Sequence, residues 1–190
     1  AMLTAAFRAF GGEELVREAF PEATILRPSI IFGPDGGILQ MFAGLIANIP
    51  VLPVFAPDAP LQVVHVDDVA AGIAAALLKP AEHAGKTYEL AGPDRWTMMQ
   101  LNERIAKAQR RKRTFLPMPD AASAAFAALP GTPMSSDQWA MLKAGSVASG
   151  DVPGFAALGI QPRPLELVID QYMVHHRKHG RFATKIDSAG

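Results

Sequence analysis

Proline and glycine interrupt this chain so often that no long element can form. There are 16 of each in 190 residues, above the roughly 12% combined share of an average protein. Proline removes a backbone donor wherever it falls, and glycine weakens helix and strand interiors. Many short elements joined by stiff loops are therefore expected. The rest of the composition fits a packed core, with 49% hydrophobic residues and a mean hydropathy of +0.15, enough for one domain of ordinary size. Lys and Arg number 18 and Asp and Glu 18, which removes the basic footprint of a nucleic-acid binder. With no cysteine, disulfides, thiolate zinc sites, iron–sulfur ligation and cysteine nucleophiles are excluded; the cell interior is favoured.

Ala1 to Phe10 has no basic stretch ahead of an apolar one, so no signal peptide is expected. Glu13 to Phe20 has helical spacing at Leu15, Val16 and Ala19, and Ala23 to Phe32 is β-rich and bounded by Gly33-Pro34, predicting a helix and then a strand. Ile38 to Phe55 has about the length of a membrane span, but Gln40, Asn48, Pro50 and Pro53 interrupt it; a helix ending near Asn48 and an extended Pro-rich stretch are predicted instead. A strand over Leu61 to Val66 leads into a helix capped by Asp67 or Asp68, with Val69, Ile73 and Leu77 at helical intervals until Pro80. Lys86 to Ala91 reads as a short strand. Thr97 and Gln100 have capping-box spacing for a helix to about Gln109, and Arg113 to Pro117 reads as a last strand. Beyond Pro119 the pattern is helical: Ala-rich Ala121 to Leu129, a second capping box at Ser135 and Gln138, a short helix over Phe155 to Ile160 closed by Gly159, and a final helix opened by Pro164 and carrying Leu165, Val168, Tyr172 and His175 on one side.

Most candidate sites fail on spacing. Gly85-Lys86-Thr87 resembles the end of a phosphate loop, but Pro80 stands where its first glycine belongs, and the segment leads into a strand. No G-x-G-x-x-G occurs; Gly33-Pro34-Asp35-Gly36-Gly37 reads as a flexible turn. His175 and His179 lie four apart, as in helical zinc sites, yet no glutamate follows His175 and no third ligand can be named, so no metal site is assigned. Arg177, Lys178, Arg181 and Lys185 make a basic helix end, suited to a helix C-terminus, an acidic partner or an anionic membrane surface. No serine has the G-x-S-x-G elbow, and His65 beside Asp67 and Asp68 reads as a strand end before a capped helix.

The segment Arg27-Pro28-Ser29-Ile30-Ile31-Phe32-Gly33-Pro34 resembles the extended and atypical short-chain dehydrogenase/reductase superfamily, where such a run ends a late strand of the dinucleotide fold. The likeness continues in order through His65-Val66-Asp67-Asp68-Val69-Ala70, through Gly85 to Pro93 (GKTYELAGP), and through Trp96 to Leu101 with Gln100 in an acidic position of the pattern. Within the superfamily the chain is most similar to the NAD(P)H-binding accessory subunit of respiratory complex I and its bacterial relatives, on Glu22 to Ser29, Ser136-Asp137-Gln138 before Leu142-Lys143, and Gly180-Arg181-Phe182. It covers about Gly12 to Phe182 and only the C-terminal part of the family pattern. The glycine-rich βαβ unit that seats a pyrophosphate on a helix N-terminus has no counterpart.

The superfamily's Tyr-x-x-x-Lys dyad, in which a lysine tunes a phenol for proton transfer, is absent: Tyr88 and Tyr172 are followed four residues later by Gly92 and His176, and the family positions fall near Ala5 and Ala9. No catalytic residue is assigned. The resemblance implies NADP or NAD as the cofactor, with the backbone of Pro28, Ser29 and Ile30 as its contact at the nicotinamide end. Binding by this chain alone is not expected. Pro28 has a structural role beside that one, in fixing the turn into Phe32-Gly33-Pro34. The fold expected is α/β, a partial Rossmann-like parallel sheet plus a small α-rich C-terminal substrate-type domain: residues 1–117 a remnant of the NAD(P)-binding domain interleaved with substrate-lobe elements, and 118–190 the α-rich region. Three functions are open: a non-catalytic protein resembling the complex I accessory subunit, favoured here; a fragment of an NAD(P)-dependent sugar-nucleotide epimerase or reductase; and a protein- or membrane-surface interaction module. Protein partners such as complex I subunits or a second copy, no nucleic acid, no transmembrane span, and a cytoplasmic location, peripheral at the inner membrane, are expected.

Overall fold

The computed structural model describes residues 11–34, 36–128, 140 and 142–178. Helix α1 (Gly12–Ala19) is followed by strands β1 (Ile25–Pro28), β2 (Ile31–Gly33) and β3 (Gly36–Gly37), helix α2 (Ile38–Asn48) and strand β4 (Val51–Val54). Strands β5 (Pro60–Leu61) and β6 (Val64–His65) precede helix α3 (Val66–Leu78), the single turn α4 (Pro80–His83) and strand β7 (Thr87–Leu90). Strand β8 (Trp96–Thr97), helix α5 (Met98–Ala108), strand β9 (Thr114–Pro117) and helix α6 (Asp120–Ala128) follow. Tight turns at Phe155–Leu158 and Leu165–Leu167 lead to α7 (Ile169–Tyr172) and a last turn, Met173–His176. No helix among the described residues is long and apolar enough to cross a membrane.

The strands form four small sheets. β1 runs parallel to β7, with Ile25 opposite Thr87 and Pro28 opposite Leu90. β2 lies between β3 and, in parallel, β6. β4 and β9 pair in parallel and β5 and β8 antiparallel. The single strand expected over Ala23 to Phe32 is thus two strands in two sheets. The break falls where the chain changes partners: the Ser29 N–H donates to the Leu90 carbonyl at 2.9 Å, and the Ile30 carbonyl accepts from Val64 N–H at 2.9 Å. Leu61 to Val66 divides likewise, into β5 and β6.

The helix starts follow local chemistry. At α5 both halves of the capping box are present, Thr97 Oγ1 accepting from Gln100 N–H at 3.1 Å and Gln100 Oε1 from Thr97 N–H at 2.9 Å, which satisfies two backbone donors left free by the first turn. α3 is capped by neither aspartate expected. His65 holds the cap position, and its Nδ1 accepts from Asp67 N–H at 3.1 Å. Gly159 does close the turn at Phe155–Leu158, in the left-handed conformation with φ 70°, where a side chain would be strained. The continuous helix expected after Pro164 is divided into short turns, because Val168 leaves helical geometry at φ −120°, ψ −22°. The capping box at Ser135 and Gln138, Ala5, Ala9, His179, Arg181 and Lys185 lie outside the described residues.

One core holds Phe32, Leu39, Ile46, Leu101 and Ile105 together with Leu165, Ile169 and Met173 from the C-terminal turns. A second, smaller one groups Val64, Val69, Tyr88 and Leu90 with Phe155 and Leu158. The segment after residue 150 therefore contributes to both cores, burying apolar area worth about 25 cal/mol per Å².

Candidate functional site

In open parallel sheets ligands sit outside the carboxyl ends of strands, at points where the strand order changes. β1 and β7 end together here, and Pro28, Ser29 and Ile30 occupy the crossover. The residues around it are tied into the fold. Arg27 Nε and Nη2 reach Glu13 Oε1 and Oε2 at 2.9 and 2.5 Å, pinning β1 to α1; hydrogen bonding to Glu13 holds the guanidinium further toward its charged form, against the opposing effect of burial. Ser29 is buried, its hydroxyl 3.1 Å from the Ser146 carbonyl and 2.9 Å from the Ser146 hydroxyl. Pro28 has no N–H to offer.

A strap over residues 146–150 lies behind this strand end. Ser146 N–H donates to the Pro60 carbonyl and its carbonyl accepts from Gln62 N–H, both at 2.8 Å. The buried Glu89 carboxylate accepts from Ser149 N–H at 2.7 Å and from the Ser149 hydroxyl at 3.0 Å. Gln62 ties the strap to the loop after β7, donating to the Gly92 carbonyl at 2.7 Å and accepting from Ala148 N–H at 3.1 Å. That loop passes so close to the link between β5 and β6 that a β-carbon on Gly92 would lie 1.9 Å from the Val63 carbonyl oxygen. Nothing in the sequence singled out Ser146 or Glu89, whose partners stand 117 and 60 residues away.

The residues after β6 fix the C-terminal segment instead of forming a site of their own. Asp68, buried, accepts from Arg163 N–H at 2.7 Å and lies 3.1 Å from Arg163 Nε, while Arg163 Nη1 reaches Asp67 at 3.1 Å. The tyrosines each meet a histidine: the Tyr172 hydroxyl is 2.6 Å from His65 Nε2, and that of Tyr88 is 2.7 Å from His83 Nδ1. Among the described residues no group of three or more His, Asp or Glu could hold a metal ion.

The residues present do not by themselves make a dinucleotide cradle. At the crossover the Ser29 hydroxyl and N–H and the Ile30 carbonyl are already engaged inside the fold, and the sequence has no G-x-G-x-x-G turn to seat a pyrophosphate. What they form is a strand end whose polar backbone groups are bonded on both sides.

The architecture is that of the Rossmann-like epimerases and reductases. Superposition on a human epimerase family protein solved with NADPH gives a TM-score of 0.59 at 18% identity, covering 78% of this chain and 47% of that one. A dTDP-4-dehydrorhamnose reductase from Bacillus anthracis in complex with NADP gives 0.57 at 17% identity over 87% and 52%. In sequence, the chain is 32% identical over 185 residues to the mitochondrial NADH dehydrogenase (ubiquinone) 1 alpha subcomplex subunit 9 of Mus musculus, matching 93% of this chain and 48% of that protein. The subunit of the same name from Arabidopsis thaliana is 31% identical over 182 residues, 88% and 45%. A ceramide reductase from Caulobacter vibrioides is 45% identical over 65 residues, 34% of this chain. No family model matches. The chain is thus a homologue of these alpha subcomplex subunits with a Rossmann-like epimerase and reductase fold, and it spans about half the length of the curated relatives it matches.

Proposed function

We propose that this chain is the non-catalytic, partner-binding portion of a protein of the accessory-subunit type, and that it provides one wall of an NAD(P) site whose pyrophosphate-holding half lies elsewhere. The observation that carries the reading is the isolated β1–β7 pair. A two-stranded parallel sheet is too small to stand alone; the segment at Pro153 already lies along the outer edge of β7, accepting from Glu89 N–H at 3.0 Å, so the edge left open among the described residues is that of β1. The crossover with Pro28, Ser29 and Ile30 lies at its carboxyl end. Beside it, Leu15 of α1 and Phe20 just after it are 63% and 58% exposed, and Leu77 of α3 is 74% exposed, apolar surface of the kind that marks an interface. A second half packed on this edge would cover that surface and bring the missing glycine-rich turn to the crossover.

Calorimetric titration with NADPH tests this. The chain alone gives no binding heat; a chain extended to the full length of its relatives, or mixed with a separately produced nucleotide-binding half, binds. Saturable binding by the chain alone, or oxidation of NADPH by it with any carbonyl substrate, overturns the reading. A reductase in place of a subunit is the second reading, motivated by the match to ceramide reductase. NADPH oxidation by the extended protein with a carbonyl lipid separates the two.

A further inference from the structure

From Gly36 to Pro57 the chain carries no charged side chain, yet part of this stretch faces outward. Leu39, Ala43 and Ile46 turn one face of α2 into the core. Met41 and Leu45, one helical turn apart on the opposite face, are 56% and 39% exposed. Leu45 and Pro53 of β4 line the same groove. The register partner of Pro53 on β9 is Leu116, and Val51 lies on the same face of β4; these two are 48% and 46% exposed. Apolar surface therefore runs from α2 across β4 to β9.

One flank of this surface is basic. Arg110, Arg111, Lys112 and Arg113 follow α5 in a single run. Arg113 Nε and Nη2 donate to the Ile46 and Ala47 carbonyls at the end of α2, at 2.6 and 3.1 Å. Arg111 Nε donates to the His176 carbonyl at 3.2 Å and Arg177 Nε to the Ala108 carbonyl at 2.9 Å, which brings Arg177 and Lys178 to the same place. His176 Nε2 lies 2.7 Å from Gln40 Oε1, beside Met41 in the helix. Lys112 and Lys178 are exposed, and Asp170 stands 3.7 Å from Arg177 as a counter-charge. Because the whole chain is neutral, this basic flank is a local concentration of charge.

We infer that α2 and the basic run after α5 seat on the surface of an anionic phospholipid bilayer, with Met41 and Leu45 at the acyl boundary and Lys112 and Lys178 among the headgroup phosphates. A helix with an apolar exposed face and cations beside it lies in the plane of a membrane interface. Each cation near an anionic leaflet contributes about fivefold in affinity. A bilayer fits this surface better than an acidic protein does, because the apolar residues stand on a convex helix, which fluid acyl chains receive without a matching groove. The surface is separate from the open edge of β1, and its use needs neither a nucleotide nor a second half.

The complete 190-residue chain is sedimented with vesicles of phosphatidylcholine alone and of phosphatidylcholine mixed with phosphatidylglycerol. It binds the mixed vesicles at low ionic strength, binds phosphatidylcholine about tenfold more weakly or less, and is released at about 1 M salt, where the screening length is about 3 Å. Lys112→Ala and Lys178→Ala each weaken binding about fivefold; Lys86→Ala, just before β7, leaves it unchanged. No sedimentation with the mixed vesicles overturns the proposal, and an equal loss in Lys86→Ala overturns the surface named. The absence of cysteine lets one label report the orientation. A polarity-sensitive dye on Met41→Cys brightens and shifts to the blue on mixed vesicles, and on Leu78→Cys, 81% exposed at the end of α3, it does not; the reverse pattern overturns the orientation. Soluble polyglutamate bound as tightly as the mixed vesicles, with the Met41 label unmoved by either, assigns an acidic protein in place of the membrane and overturns the proposal.

Discussion

His65 and Tyr172 are joined across 107 residues by a 2.6 Å hydrogen bond whose direction the surrounding backbone dictates. His65 Nδ1 accepts from Asp67 N–H, so the ring hydrogen sits on Nε2 and is donated to the phenol oxygen. The rings are also stacked, with centroids 6.0 Å apart. Tyr172→Phe keeps the stack and strands a buried N–H. It lowers stability by about 1–3 kcal/mol, read as a lower urea midpoint with an unchanged slope; a midpoint within error of the native one would refute the bond.

At Gly92 the constraint is contact with backbone, which no side-chain rotation relieves. Gly92→Ala places a methyl group 1.9 Å from the Val63 carbonyl and costs at least about 2 kcal/mol, in the upper range for overpacking. Gly36→Ala, with no atom within 4 Å of its new β-carbon, is the control. Thermal unfolding of the two variants side by side separates them; equal melting temperatures would remove the close approach.

Removal of the capping hydroxyl in Thr97→Ala frees one N–H of α5 and weakens the fold by about 1 kcal/mol. Gln100→Ala keeps the Thr97 acceptor and costs less. Hydrogen exchange at the first turn of α5 reports both changes, and equal protection in all three chains would contradict the capping box.

Arg104 grips Glu166 with Nε at 2.7 Å from Oε1 and Nη2 at 2.7 Å from Oε2. These hydrogen bonds hold the Glu166 carboxyl below its ordinary value of 4.5, burial opposing them. A carboxyl with a lowered folded-state pKa stabilises the fold above its unfolded value, and that stability is lost as pH falls through the folded one. Glu166→Gln is accordingly less stable than the native chain at pH 7, by under about 1 kcal/mol because the pair faces solvent, and the two curves converge as the pH falls below the ordinary value of 4.5. A difference that stays constant from pH 7 to pH 3 would exclude the ion pair as its source.

The helices were legible in the sequence because their signals are local. α2 ends at Asn48 before a Pro-rich strand, and α5 begins at the Thr97 box. The strands were legible as extended segments but not as partners. Nothing between Ala23 and Phe32 says that Pro28 pairs beside Leu90 and Ile31 beside Val64, since pairing is decided by residues at least thirty positions away. The cap of α3 was misplaced for a related reason: Asp68, a better cap by type, is drawn to Arg163 by tertiary contact, which leaves the start of the helix to His65. Pro28, Ser29 and Ile30 were named as a cofactor contact through resemblance alone.

The exchange of partners at Ser29 also has a mechanical side. Only Ser29 and Ile30 part β1 from β2, and the chain bends there, while the Ser29 N–H is bonded to Leu90 on one side of the bend and the Ile30 carbonyl to Val64 on the other. The bend is thus clamped at both ends, and shifting β1 against β2 means breaking one of those two bonds.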